Sequence, residues 1–209
     1  MFVLSWHAMA GSRARALVDP DAPNDPDVEA AFAAAPETMV AEILDGELHT
    51  MPRPRPKHAR AATRLVRRLG PFDDDPGDPG GWVLLLEPEL HLGPKPDKLV
   101  PDVAGWKRER LPQTVFDDDA PAHVSVAPDW ACEILSDRTE RIDRSKKMRI
   151  YRRERVGHLW LVNPTLQTVE VYRGDGDEWM LLDTHAGEAV VRIAPFEAIE
   201  LPLATLWAR

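Results

Sequence analysis

The chain has 209 residues, 44% of them hydrophobic and 29% charged, with a formal net charge of −9. That length suits one domain of moderate size, or one domain with a tail, and the composition excludes a globally disordered chain. The single Cys132 excludes an internal disulfide framework and fits a reducing compartment, and no apolar run is long enough to span a bilayer. The opening "MFVLSWHAMAGSRAR" carries its basic residues after the apolar patch rather than before it. This argues against a secretory signal, so a cytoplasmic protein is expected.

In chain order, residues 1–27 read as an irregular tail, acidic and punctuated by prolines in "LVDPDAPNDPD". "VEAAFAAAP" is a short helix ended by Pro36. "MVAEILDGELHTMP" alternates around Asp45-Gly46, a hairpin signal that predicts strands at 39–44 and 47–51. "RPRPRPK" cannot be helix interior. "HARAATRLVRRLG" has apolar residues at 62, 65, 66 and 69, the spacing of a helix, with Gly70 as its stop. "PFDDDPGDPGG" is a loop, "WVLLLEPELHLG" a strand, "GPKPDK" a turn and "LVPDVAGW" a strand. A long stretch, "KRERLPQTVFDDDAPAHVSVAP", reads mostly as loop. It leads to a strand at 130–136, a helix at 140–155, the strands "HLWLVN", "TVEVYR" and "EWMLLDT", and a C-terminal hairpin and edge. Strands with two or three helices interleaved predict an α/β or α+β sandwich. Trp82, Trp106, Trp130 and Trp160 read as core, as does Cys132.

The acidic total hides a strong asymmetry. Residues 53–68 hold seven Lys/Arg and no acid, and residues 138–155 hold nine basic residues against Glu140, Asp143 and Glu154. These two segments carry +13, leaving −22 on the other 175 residues. A polyanion responds to fields within about 10 Å at moderate salt, not to the global sum, so binding to nucleic acid stays open. Taken alone, such runs are better explained as solvated helix faces.

The seven histidines show no zinc spacing, and neither a G-x-S-x-G elbow nor a P-loop is present. What stands out is carboxylates set inside apolar strands. Asp102 lies in "LVPDVAGW" and Glu133 in "WACEILS". An ionised carboxylate there is costly unless it is paired or bound to metal, and two on neighbouring strands can share Mg²⁺. A cationic helix follows Glu133 directly. Asp143, Lys147 and Tyr151 fall on one stripe of it, which favours Lys147 over Lys146 as the ammonium that reaches the carboxylates. An ordinary Asp143–Lys147 helix pair explains the same spacing. Asp129, four residues before Glu133, is roughly 13 Å away along a strand, too far to share an ion.

The ordered set "PDVAGW … PDWACEILSDRT … DRSKKMRIY … VGHLWLVNP … TVEVYR", with "EILDGELHTMPRPRPKHARA" upstream, resembles the Uma2 family of restriction endonucleases (DUF820), in the PD-(D/E)XK nuclease superfamily. The resemblance covers roughly residues 37–207, leaving 1–36 as an extension. It implies a restriction-endonuclease-like fold, a central mixed β-sheet flanked by helices, and Mg²⁺- or Mn²⁺-dependent hydrolysis of nucleic-acid phosphodiesters, DNA first. Asp102 and Glu133 take the positions of the family's acids, with the Ile134 carbonyl as a further metal ligand. Lys147 takes the place of the lysine, which the superfamily usually carries two residues after the acid, where this chain has Leu135. Asp143 and Tyr151 complete the helix motif. Glu47 and His58 belong to the upstream signature, Glu47 as an extra acid of the metal shell or an exposed strand residue, His58 as a phosphate contact or a polar residue at a helix start. Arg60, Arg64, Arg144 and Lys146 are the expected backbone-binding cations, and a homodimer follows from the two-strand cutting common to this fold. "SDRT" and "WLVNP" depart from the family's usual "SPST" and "WLVDP". A binding protein that no longer turns over, or a hydrolase of smaller phosphodiesters, would present the same residues.

Overall fold

The computed structural model describes residues 24–73 and 79–208. The expected tail up to residue 23 and the middle of the 71–81 loop lie outside the described residues. A helix α1 (Pro26–Ala33) precedes the hairpin of β1 (Met39–Leu44) and β2 (Glu47–Pro52). Asp45 and Gly46 both have positive φ, 54° and 76°, as a two-residue primed turn requires.

Helix α2 (Pro56–Asp73) opens on a proline, whose missing N–H costs nothing in a first turn. It buries Ala61, Ala62, Leu65, Leu69 and Phe72, a single apolar stripe. It does not stop at Gly70 but runs through Pro71 to Asp73. Leu69 and Phe72 on either side of the Gly-Pro pair are both buried, and that packing holds the last turn where local propensity would end it.

Two expected strands are each divided between two sheets. "WVLLLEPELHLG" breaks into β3 (Trp82–Leu86) and β4 (Leu90–Leu92), and "LVPDVAGW" is shared between β5 (Asp97–Leu99), which begins within the expected turn "GPKPDK", and β6 (Val103–Lys107). Glu87, at the first break, has φ 46°, so Glu87 and Glu89 do not share a strand face. Asp102 therefore lies just before β6 rather than inside a strand. The two breaks meet: the Glu87 N–H donates to the Asp102 carbonyl at 3.1 Å.

After a 3₁₀ turn at Gln113–Phe116 come β7 (Trp130–Ile134), a helical segment, β8 (His158–Asn163), β9 (Thr168–Asp175) and β10 (Glu178–Ala186). The small hairpin β11 (Val190–Val191) and β12 (Leu201–Pro202) and helix α5 (Ala204–Trp207) close the chain. One sheet runs β10-β9-β8-β7-β6-β3, the other β2-β1-β5-β4. Every pair in the larger sheet is antiparallel except β7 with β8, so that sheet is mixed.

Alternation along β7 sends Trp130, Cys132 and Ile134 to one face and Ala131 and Glu133 to the other. The first set packs with α2, Trp160 and Phe196. Phe196 meets the rings of Trp130 and Trp160 edge-on at 4.9 and 5.7 Å, contacts worth about 1 kcal/mol each beyond burial. Gly105 on β6 allows this, since a Cβ there would sit 2.9 Å from Leu84 and 3.1 Å from Trp130. The opposite face packs Trp106, Leu159 and Leu161 against Ile150, Tyr151 and the smaller sheet. All four tryptophans and Cys132 are core, as their sequence context predicts.

Candidate active site

Glu133 points from the middle of the larger sheet into the gap between it, the smaller sheet and the 140–153 helical segment. That segment is α3 (Glu140–Ile142), a π turn (Asp143–Lys147) and α4 (Met148–Arg153). The wide turn is closed by the Met148 N–H donating to the Asp143 carbonyl, five residues back. Successive residues in an α-helix step by 100°, so i, i+4 and i+8 drift around the axis. The π turn takes up that drift, and Asp143, Lys147 and Tyr151 are all buried.

The Lys147 ammonium sits 2.9 Å from Glu133 Oε1, 3.0 Å from Glu42 Oε1 and 3.1 Å from the Val100 carbonyl, with Asp143 Oδ1 at 3.8 Å. The Tyr151 hydroxyl donates to Glu133 Oε1 at 2.5 Å. Asp102 stands at the end of the same group. Its Oδ2 accepts from the Ile134 N–H at 2.6 Å and lies 3.2 Å from His58 Nε2. An extended residue presents its N–H and carbonyl to the same side, so the Ile134 carbonyl also faces Asp102. His58 reaches it from the first turn of α2.

Lysine and acid alike are out of solvent: Glu42 is 0% exposed, Glu133 2% and Lys147 3%. Burial pushes the Glu133 carboxyl well up, and the charges of Asp143, Asp102 and Glu42 add to this against the pull of Lys147. Burial likewise raises Asp143 to about 6. For Lys147 burial works against the charge, but Glu133, Glu42, Asp143 and Asp102 outweigh it and hold the ammonium well above its ordinary range. Burial also opposes protonation of His58, and the bond to Asp102 reverses the balance, raising its pKa.

Four carboxyl groups thus face one lysine and one histidine. One buried carboxylate oxygen, Glu42 Oε2, has no hydrogen-bond partner. A donor set dominated by carboxylate oxygens suits a hard divalent cation such as Mg²⁺ or Mn²⁺. Asp102, Glu133 and the Ile134 carbonyl are the groups able to hold it.

A cleft of about 300 Å³ opens onto this cluster. Asp102, Glu133, Asp143, Lys147 and His58 all line it. Its rim carries Arg53, Arg55, Lys57 and Arg138, all exposed.

The other expected residues lie elsewhere. Arg64 donates to the Thr205 and Ala208 carbonyls at 2.9 and 2.6 Å, and Arg60 to Ala208 at 3.4 Å, so both tie down α5. Arg144 is engaged by Glu140 at 2.7 Å and by both oxygens of Glu170. Lys146 points away from Lys147 and pairs with exposed Glu47 at 2.5 Å. None of Arg60, Arg64, Arg144, Lys146 or Glu47 lines the cleft.

Glu42 is the residue that the sequence reading does not single out. It is a carboxylate within the apolar strand "MVAEIL", the same signal that marks Glu133. Its Oε1 also accepts the Val100 N–H at 2.8 Å, joining β1 to the break before Asp102.

The sequence model of the Uma2 family, described as "Putative restriction endonuclease", matches residues 29–204. The chain belongs to the Uma2 family. Among solved structures it is similar to one titled as a "putative nuclease belonging to DUF820" from Anabaena variabilis ATCC 29413. The TM-score is 0.66 at 25% identity, over 84% of this chain and 94% of that one. No curated protein matches. The central mixed sheet with few helices is the restriction-endonuclease-like fold of this nuclease family.

Proposed function

We propose that this Uma2 protein is a divalent-cation-dependent endonuclease that hydrolyses DNA phosphodiester bonds in the Asp102–Glu133–Lys147 cleft. One observation carries the reading: residues far apart in the chain converge on a buried, acid-rich pocket that opens beneath an exposed basic rim. Asp102, Glu133 and the Ile134 carbonyl would hold Mg²⁺ or Mn²⁺, which supplies Lewis-acid charge at the scissile phosphate and a water of lowered pKa. Tyr151 and Lys147 fix Glu133 Oε1 in place, so its remaining oxygen is oriented before any ligand arrives. Three acceptors surround the Lys147 ammonium at 2.9–3.1 Å, one for each of its protons. It therefore acts first as a fixed positive charge that stabilises the developing phosphorane oxygens. His58, hydrogen-bonded to Asp102, stands at the same wall, 3.2 Å from the carboxylate. Arg53, Arg55, Lys57 and Arg138 would take the flanking phosphates, contacts that give affinity without sequence preference. A homodimer would present two such clefts, one to each strand of a duplex.

The test is a low-salt plasmid-nicking assay with Mg²⁺, Mn²⁺ or EDTA, run beside Glu133→Gln purified identically. Nicking that requires the metal and vanishes in the variant is expected. Equal nicking by the variant would assign the activity to a contaminant. Retained plasmid binding with no cutting by either protein would reassign the fold to binding alone.

A further inference from the structure

A second group of metal-ligating side chains lies at the outer edge of the smaller sheet. Glu89, His91 and His123 each offer one ligand atom, and these atoms lie within 4.8 Å of one another. None of the three lines the cleft, and the two sites differ in donor chemistry. The cleft offers mainly carboxylate oxygens, its one imidazole, His58, being turned onto Asp102, whereas this group offers two imidazole nitrogens and one carboxylate. We propose that Glu89, His91 and His123 form a separate transition-metal site, with Zn²⁺ as its natural occupant, that pins the 108–129 loop to β4.

Backbone pairing has already brought the ligands together. Leu90 and Val124 form a parallel bridge. The His91 N–H donates to the Val124 carbonyl at 3.0 Å, and the Val124 N–H to the Glu89 carbonyl at 2.9 Å. This sets His123 beside the Glu89–His91 pair although more than thirty residues separate them. The two imidazoles stack nearly parallel, with centroids 3.7 Å apart and 10° between planes, so one ring must turn about its side-chain torsions for both lone pairs to meet a shared ion, and His91 Nε2 is 2.6 Å from Glu89 Oε1. Stacking two imidazoles so closely is unfavourable if both are protonated, and Lys98, the cross-strand partner of His91, adds a further positive charge. Burial, His123 and Lys98 lower the His91 pKa against the opposing pull of Glu89.

Three protein ligands of the His₂Glu type leave the fourth position of a tetrahedral Zn²⁺ to water. Nitrogen donors favour Zn²⁺, Co²⁺ or Ni²⁺ over Mg²⁺, so the site would fill selectively in excess Mg²⁺. The consequence reaches the cleft through the chain. Glu89 is two residues from Glu87, which lines the cleft and whose N–H holds the Asp102 carbonyl. A metal on Glu89 would therefore fix the crossing segment that positions Asp102.

The experiment uses untagged full-length protein stripped with chelator and held in saturating Mg²⁺. Zn²⁺ titration, followed by calorimetry and by thermal unfolding, should show about one equivalent bound and a raised midpoint. Co²⁺ should bind at the same stoichiometry with visible d–d absorption. His91→Ala and His123→Ala, both at partly exposed positions, should weaken Zn²⁺ by about a hundredfold or more, while Glu133→Gln should leave it unchanged. Absence of a Zn²⁺ equivalent in the wild type, or its survival in both histidine variants, would overturn the site. Loss in Glu133→Gln alone would place the ion in the cleft and overturn it equally. None of these readouts depends on nuclease activity.

Discussion

Lys147 is the hinge of the residue-scale argument. It neutralises Glu133 and Glu42 at once, in a place where water cannot. Replacing one partner of a buried ion group leaves the others uncompensated, which costs far more than the group gains when intact. Lys147→Met should therefore lower unfolding free energy by about 3–5 kcal/mol in urea denaturation, and the double variant Glu133→Gln/Lys147→Met should recover part of that loss. Asp143 gives a pH signature. Its folded pKa is raised to about 6 from an ordinary 3.8, so between those values the folded chain holds a proton that the unfolded chain has released. Stability must then fall as pH rises through that window, on the order of 3 kcal/mol in all. Thermal midpoints measured in EDTA should show this decline, Asp143→Asn should remove it, and Mg²⁺ should oppose it by binding the ionised form. At this scale much of the site is legible in sequence: Asp102, Glu133 and Lys147 follow from carboxylates in apolar runs and a helical stripe. Glu42 carries the same mark, but its alternating run also reads as a plain hairpin. Only the packing of β1 against the Val100 break distinguishes the two.

Elements are legible where local chemistry decides them and obscure where tertiary packing does. Asp45-Gly46 sets the hairpin register through its positive φ, and the observed strands match the expected ones to within a residue. The runs at 82–92 and 99–106 read as unbroken because both halves of each are apolar. Apolar sequence does not reveal that the halves belong to different sheets. The π turn likewise leaves no periodic trace, since one wide turn shifts a stripe by less than a residue. Basic residues show the same limit: Arg60 and Arg64 sit in a cationic run, but their direction is set by the carbonyls of α5. Arg64→Ala should cost about 1 kcal/mol of stability and leave DNA affinity unaltered.

Over the whole molecule, the acidic total coexists with a cationic cleft mouth because acids elsewhere absorb much of the basic surplus. Glu47, Glu140 and Glu170 take up Lys146 and Arg144. Arg53, Arg55, Lys57 and Arg138 border the acid cluster instead. DNA affinity should therefore fall steeply with salt, and removing Arg55 or Lys57 should reduce the log–log slope by about 1 each. Fluorescence anisotropy between 50 and 200 mM salt measures this directly, and an unchanged slope would move the DNA path away from this rim.

The one parallel pair in the larger sheet, β7 with β8, bears on biosynthesis. Parallel neighbours cannot be joined by a tight turn, so the chain must travel out and back between them, and that journey is the segment bearing Asp143, Lys147 and Tyr151. A ribosome that has released residues up to 153 has made every charged group of the cleft, yet β7 still lacks the partner that seats it. A complete cleft would then form late in translation and all at once. Products terminated before β8 would carry the residues of the cleft without the strand that seats them.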